Sequence, residues 1–205
     1  MAENTSKQPT VYGLGASDGR WIGLAMGLCV MCMVVSADLN VTAAGGSFIR
    51  GLAPLLQWLG LALFVGVPYA VWRMLRRGWV TGRVPATFSA VWLHGICIFL
   101  FGSLIMALIM YATLKYLSPN WIEIQTEALA AQMASEPQMS AQAGMLMEAA
   151  QSGRLPSAIY MSVTTIWLVA FTGSMWSMIF AFVLTRTHRF RKLRIDFIAN
   201  RHNDE

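Results

Sequence analysis

The chain has 205 residues, of which 56% are hydrophobic and only 12% charged, and its formal net charge is +5. Soluble proteins have about a quarter of their residues charged, so this composition excludes an ordinary soluble protein and indicates an integral membrane protein. The positive charge needs no nucleic acid to explain it, because basic residues also orient membrane proteins. The alternating pattern of a membrane barrel is not visible, so the membrane segments are expected to be helices.

The first predicted elements are a cytoplasmic segment over 1–20 and an apolar transmembrane helix over 21–44. An alternative stays open at this helix. Arg20, the apolar run after it and the small residues Val35-Ser36-Ala37 together resemble a secretory signal with its cleavage site. We favour an intact anchor, since cleavage would leave only three spans.

Small residues recur every four positions on two of the predicted helices, where they set how closely neighbouring helices can approach. These candidate packing positions are Gly19, Gly23 and Gly27 in the first span and Gly173, Ser177 and Ala181 in the fourth. Because lipid gives no hydrophobic force between helices, such stripes favour packing by letting backbones come close. Packing within one bundle is the preferred interpretation, and pairing with a second copy is the alternative.

The second and third spans are predicted over 52–75 and 85–116, joined by a short basic connection. The uncharged run from Val84 to Leu114 would be about 46 Å long as a helix, at about 1.5 Å per residue. The hydrocarbon core of a bilayer is only about 30 Å thick. The third span is therefore expected to protrude on the side of its C-terminal end.

His94 is the candidate polar site within the membrane, because it lies about 16 Å along the third helix from Arg83. An ionisable side chain at that depth is a functional candidate for handling a proton or a ligand. The competing interpretation, which we favour, is a neutral imidazole that is hydrogen-bonded to a neighbouring helix. Its candidate partners are Thr164, Thr165 and Gln57.

An extracytoplasmic helical hairpin is predicted over 118–153, between the third and fourth spans. Ser118 or Asn120 is expected to cap its first helix by accepting a hydrogen bond from a free backbone N–H. Gly153 is expected to end the second helix, because glycine commonly follows a helix C-terminus. The two helices together would form a short cap.

The fourth span is predicted over 156–185 and is also too long for the lipid core. The predicted transmembrane domain, with its four spans and the hairpin, covers 21–187. A basic cytoplasmic tail follows over 188–205. Candidate contacts to an anionic lipid surface are Arg186, Arg189, Arg191, Lys192 and Arg194. Each cation near such a surface contributes about 1 kcal/mol, but a plain role in orienting the last span explains most of this charge.

The distribution of basic residues predicts the orientation of the chain. Twelve of the 15 Lys and Arg lie before the first span, between the second and third spans, or after the fourth. Under the positive-inside rule both termini are then cytoplasmic and the 118–153 hairpin is outside. The predicted location is the bacterial inner membrane, with the lipid bilayer as the first partner.

Short motifs at the span boundaries resemble those of a known family. They are Gly82-Arg83 through Phe88-Ser89, Tyr116-Leu117-Ser118-Pro119-Asn120-Trp121, and Pro156 leading into a last span that contains Gly173. Together they resemble an uncharacterised four-helix membrane protein family of Bacteroidota, catalogued as the domain of unknown function numbered forty-one ninety-nine. The resemblance covers most of the chain and implies a four-helix membrane fold. It transfers no functional residue.

The sequence thus predicts an all-α, integral membrane four-helix bundle whose long third and fourth helices protrude into a short helical cap. HExxH, GxSxG, Walker and dinucleotide-binding patterns are not found, so we expect no enzyme, catalytic residue, cofactor or metal. A non-catalytic assembly or accessory subunit fits best. The alternative is a small transporter or ligand-binding protein with a cavity around His94, and a membrane enzyme comes third. A second copy and another membrane protein are both open as partners, and no nucleic-acid partner is expected.

Overall fold

The computed structural model describes residues 10–42, 47–81, 83–85, 87–135 and 139–203, with the backbone alone at 41–42, 47–50 and 188–203. Within these ranges the chain is helical and contains no strand, which confirms the predicted all-α class. The elements are α1 (Val11–Thr42), α2 (Ser47–Val80), α3 (Phe88–Ala112), a π-helical segment (Thr113–Leu117), α4 (Trp121–Ala134), α5 (Ser140–Gln151) and α6 (Ala158–Asn203).

Four of these helices are long and apolar enough to cross a membrane, as predicted. The apolar spans are Val11–Asn40, Gly51–Val80, Phe88–Leu117 and Ala158–Thr187, each of 30 residues. α1 with 32 residues and α2 with 34 residues are longer than the predicted spans 21–44 and 52–75. A gap in charge marks the part of a helix that must lie in lipid, whereas the helix itself continues past charged residues.

The start of α1 shows this difference most clearly. The helix begins at Val11 and not at residue 21, so much of the segment predicted as a separate cytoplasmic piece is helical. Thr10 stabilises this start because its hydroxyl oxygen accepts a hydrogen bond from the Gly13 N–H at 3.3 Å. Its carbonyl accepts another from the Leu14 N–H at 3.0 Å. These bonds satisfy backbone donors that a helix N-terminus otherwise leaves free.

Contacts divide the chain into two compact units. The first unit comprises Met1–Gly23, Gly66–Ser103 and Leu168–Glu205, and the second comprises Leu24–Val65 and Leu104–Trp167. Each of the four long helices therefore contributes one part to each unit. Of these helices α3 is the most buried. In its most apolar stretch 56% is buried inside the protein, against 39% in α1 and 17% in both α2 and α6.

In the first unit α1 and α3 approach each other through glycine. A Cβ added to Gly19 would lie 2.8 Å from the Ile98 carbonyl oxygen, which is too close for any side chain. A Cβ on Gly102 would lie 3.4 Å from the backbone nitrogen of Gly23, which is itself buried. Two predicted packing positions, Gly19 and Gly23, thus face α3.

α6 packs against α3 in the same unit, also through small residues. A Cβ on Gly95 would lie 2.5 Å from the Ser177 hydroxyl oxygen, and one on Gly173 would overlap the Phe99 side chain. Ser177 and Ala181 are completely buried. Ser177 donates its hydroxyl hydrogen to the Gly173 carbonyl at 2.7 Å, so its polar group is satisfied within α6.

The second unit holds the α4–α5 pair, whose helices pack against each other. Its buried cluster consists of Val34, Met110 and Leu114, with Trp121 and Ile122 at the start of α4 packed against it. α1 and α2 are tied by two bonds to backbone carbonyls. The Ser36 hydroxyl donates to Ala53 at 2.8 Å, and the Cys29 thiol donates to Gly60 at 3.1 Å. In α1, Gly27 leaves no room for a Cβ beside Ile109.

The predicted side-chain cap of α4 is wrong. Asn120 occupies the N-cap position but makes no side-chain capping bond. The Ser118 hydroxyl instead donates to the Asp38 carboxylate at 3.1 Å, an acceptor 80 positions earlier in the chain. This bond orients the Ser118 hydroxyl toward α1, and its charged acceptor makes it stronger than a bond to a neutral group. Gly153 follows α5 with φ of 67°, as expected of a glycine just beyond a helix.

We predict that Gly19→Ala destabilises the protein by about 1–3 kcal/mol, because the new methyl group meets a backbone carbonyl that cannot rotate away. Gly66→Ala is the matched control, since a Cβ at Gly66 meets nothing within 4 Å. Unfolding in mild detergent, followed by circular dichroism during titration with a denaturing detergent, measures both changes. Equal stability of the two variants would contradict the close α1–α3 approach.

Candidate functional site

His94 lies in the second turn of α3, and its position is set by the start of that helix. Thr87 precedes α3 and accepts two bonds, one from the Ala90 N–H to its hydroxyl oxygen at 3.3 Å and one from the Val91 N–H to its carbonyl at 3.2 Å. With the register fixed in this way, the His94 side chain points inward and is only 1% exposed. Among the described residues it is one of the largest fully buried side chains.

Asp18 of α1 is the charged neighbour of His94. Its Oδ2 lies 3.3 Å from the His94 Nε2, and the Asp18 side chain keeps 33% of its surface exposed. The geometry of this approach is not that of a hydrogen bond, and neither ring nitrogen of His94 has a hydrogen-bond partner within the described residues. The imidazole is thus buried beside a carboxylate and makes no hydrogen bond to a described residue.

The predicted partners of His94 were wrong. Thr165 belongs to the second unit, where its hydroxyl donates to the Met161 carbonyl at 2.8 Å. Thr164 and Gln57 are exposed in the same unit. Asp18 was missed because the prediction placed it in a cytoplasmic segment outside the first span. The sequence did contain a signal: the spacing of Gly15, Gly19, Gly23 and Gly27 extends one helical stripe upstream past Asp18.

The end of α2 forms the next wall of the site. The imidazole rests against Gly78, where an added Cβ would lie 3.4 Å from the His94 Cε1. The Gly78 carbonyl accepts bonds from the Arg83 N–H at 3.0 Å and the Val84 N–H at 3.2 Å, so the chain turns back on itself immediately after α2. The Thr81 hydroxyl donates to the Arg77 carbonyl at 2.8 Å. This turn satisfies the Arg77 and Gly78 carbonyls and brings the backbone of Arg83 back to Gly78.

An open cavity of about 300 Å³ adjoins these residues, and we call it the His94 cavity. It is lined by Leu14, Ser17, Asp18, Trp21, Met74, Arg77, Gly78, Thr81, Arg83 and His94, all of the first unit. The lining residues therefore include two exposed arginines, one aspartate, one histidine, one serine and one threonine, together with apolar side chains. Such a mixture of a few convergent polar groups and apolar surface is typical of a binding site for a small molecule. The described residues contain no cluster of His, Cys, Asp or Glu that could hold a metal ion.

Of the five cations predicted to contact a lipid surface, the structure describes the side chain of Arg186 only. Arg186 is exposed, with its guanidinium 5.2 Å from the centroid of the Phe182 ring. The side chains of Arg189, Arg191, Lys192 and Arg194 lie outside the description, although α6 continues to Asn203 through them. Their contact with a lipid surface stays a prediction.

We predict that Asp18 and His94 are energetically coupled. In a double-mutant cycle with Asp18→Ala and His94→Ala, the double variant should lose less stability than the two single losses combined, with a coupling of about 0.5–3 kcal/mol. The control cycle combines Asp18→Ala with Ser36→Ala, whose partner is the Ala53 carbonyl, and it should be additive. Additivity in both cycles would show that the 3.3 Å contact has no energetic consequence.

Comparison with known proteins gives a family and no activity. Neither a curated protein nor a solved structure matches the chain. A family model described as a protein of unknown function, DUF4199, matches residues 21–186. This match begins at Trp21 within α1, after Asp18 and Gly19, and includes the other three long helices up to Arg186 of α6. It agrees with the resemblance seen in the span-boundary motifs. The chain therefore belongs to the DUF4199 family.

Proposed function

We propose that this protein is a multi-pass membrane protein that binds a small polar ligand in the His94 cavity, without a chemical step. One observation supports this role above all others. A fully buried imidazole that makes no hydrogen bond within the described residues adjoins an open cavity with polar walls. The ligand is the group that completes its hydrogen bonding.

A buried imidazole without hydrogen-bond partners costs free energy. A neutral imidazole carries one N–H donor and one acceptor nitrogen, and a charged imidazole carries two donors. Each buried polar group without a partner costs about 1–3 kcal/mol. This cost is a large fraction of an overall folding stability of about 5–15 kcal/mol. A ligand with complementary polar atoms would recover this cost on binding.

The cavity shifts our preference between the two roles that the sequence favoured. The accessory-subunit role needs a partner surface, and the exposed apolar faces of α2 and α6 are equally well explained by lipid. In contrast, the ligand-binding role is supported by a cavity with a defined set of lining residues. We therefore rank ligand binding first and assembly with another membrane protein second.

The charges of the two units support an orientation in the membrane. Twelve of the 15 Lys and Arg belong to the first unit, which contains both termini and the α2–α3 connection. The second unit contains the other three, Arg50, Lys115 and Arg154. Under the positive-inside rule we propose cytoplasmic termini in a bacterial inner membrane, with the α4–α5 pair outside. The His94 cavity would then open at the cytoplasmic face.

We further propose that α3 and α6 protrude toward the α4–α5 pair. A membrane-spanning helix needs about 20 residues, and the uncharged runs 84–114 and 155–185, which contain α3 and most of the apolar part of α6, have 31 residues each. In the second unit the buried cluster places Trp121 and Ile122 of α4 against Met110 and Leu114, near the end of α3. A cap of this kind would cover the ends of helices that leave the lipid.

The orientation can be tested by cysteine labelling. In a variant without Cys29, Cys32 and Cys97, we expect Ser135→Cys to react with a membrane-impermeant thiol reagent in intact cells. Thr87→Cys should react only after the cells are broken open. Both positions are exposed, so access to solvent alone does not distinguish them. Reversed labelling would overturn the proposed orientation.

The ligand-binding role predicts that the protein retains a small molecule after gentle extraction. Native mass spectrometry should show an additional non-covalent mass on the wild type that is lost in His94→Ala. Val91→Ala is the matched control, because Val91 is equally buried on α3 but does not line the cavity, and it should retain the mass. A wild-type protein that carries no molecule would contradict the proposed role.

A further inference from the structure

We infer that the ligand of the His94 cavity carries a phosphate group together with an amine. This inference rests on the proposed ligand-binding role and adds the chemical class. Two sources provide this chemistry: the headgroup of a zwitterionic phospholipid and a free phosphate ester of an amino alcohol. Both place an anion and a cation a few bonds apart.

The phosphate follows from the basic residues of the cavity. Arg77 and Arg83 line it together with a single carboxylate, so the fixed charge of the lining is positive and favours an anion. The planar guanidinium group matches phosphate oxygens with paired N–H donors, which makes arginine the preferred residue for this anion. The hydroxyl groups of Ser17 and Thr81 are further polar groups of the wall.

A metal cation or ammonium group alone fits this cavity poorly. At the end of α2 the Gly78 carbonyl already accepts two backbone N–H groups, and the Arg77 carbonyl accepts the N–H of Thr81 at 3.0 Å and its hydroxyl at 2.8 Å. These oxygens are therefore engaged and offer little to a cation. The two guanidinium groups would also repel it.

The amine follows from Asp18. Its carboxylate lines the same cavity and keeps a third of its surface exposed, so it would repel a bare anion. A ligand with an ammonium group turns this repulsion into attraction, because opposite charges at contact distance favour each other. His94, 3.3 Å from the carboxylate, then offers a ring N–H to the phosphate or accepts a hydrogen from the amine.

The size and the apolar wall of the cavity agree with this class. A volume of about 300 Å³ is at the lower end for ligand sites, so it suits a headgroup rather than a nucleotide. Leu14, Trp21 and Met74 form the apolar part of the lining, and Trp21 keeps 59% of its surface exposed. Tryptophan with this exposure is typical of the level of lipid headgroups. A lipid could thus enter with its headgroup first.

The test uses the full chain in detergent, freed of lipid by washing. Native mass spectrometry measures binding of phosphatidylethanolamine and of a phosphate-free glucosyl diacylglycerol, and a thermal shift assay measures binding of free phosphoethanolamine. We expect binding of the phosphate ligands only, with Arg77→Gln and Arg83→Gln each weakening it by about tenfold. Arg73→Gln and Arg76→Gln remove the same charge from α2 outside the cavity lining and should change binding less than about twofold.

Each outcome decides between the alternatives. Binding of the phospholipid but not of free phosphoethanolamine supports the class with a lipid source, and the opposite result supports it with a soluble source. Equal losses in all four arginine variants, or equal binding of the glucosyl lipid, would overturn the inference. If the protein retains a molecule without phosphorus, the inference fails and the ligand-binding role stands. Failure of the wild type to retain or bind any molecule overturns both.

Discussion

Gly19 lets α1 lie so close to α3 that a methyl group there would stand 2.8 Å from the Ile98 carbonyl oxygen. Lipid does not drive helices together by the hydrophobic effect, so dispersion between closely packed backbones must hold them. Glycine at 19, 95, 102 and 173 provides this closeness on two sides of α3. The first unit depends on these contacts, because a larger side chain at any of them would separate α3 from a neighbour.

The same contacts explain why His94 is buried where it is. His94 directly precedes Gly95, whose missing Cβ admits Ser177 of α6, and its ring lies against Gly78 of α2. α1 brings Asp18 to the remaining side. The small residues thus enclose a polar side chain among three helices. The backbone groups of these helices are hydrogen-bonded within the helices, whereas the imidazole makes no hydrogen bond to a described residue.

The sequence was sufficient to predict the helical class and the number of spans, because lipid strongly disfavours charge and long uncharged runs are therefore informative. It did not locate the site. Asp18 and Arg20 ended the predicted first span, although α1 begins at Val11 and continues through both. The pairing of Asp18 with His94 depends on the register between α1 and α3, which is a tertiary property. The Ser118–Asp38 bond is also a tertiary property, because it joins residues 80 positions apart in the chain.

The arginine residues near the end of α2 show why orientation and function are difficult to separate in one sequence. Arg73, Arg76, Arg77 and Arg83 contribute equally to the positive-inside signal, which depends only on charge and side of the membrane. Only Arg77 and Arg83 line the His94 cavity. The difference arises from geometry, since Arg77 directly precedes Gly78 and Arg83 follows the turn that folds back onto the Gly78 carbonyl. A basic cluster can therefore carry a positive-inside signal and also contribute to the lining of a cavity, and position rather than charge distinguishes the residues that line it.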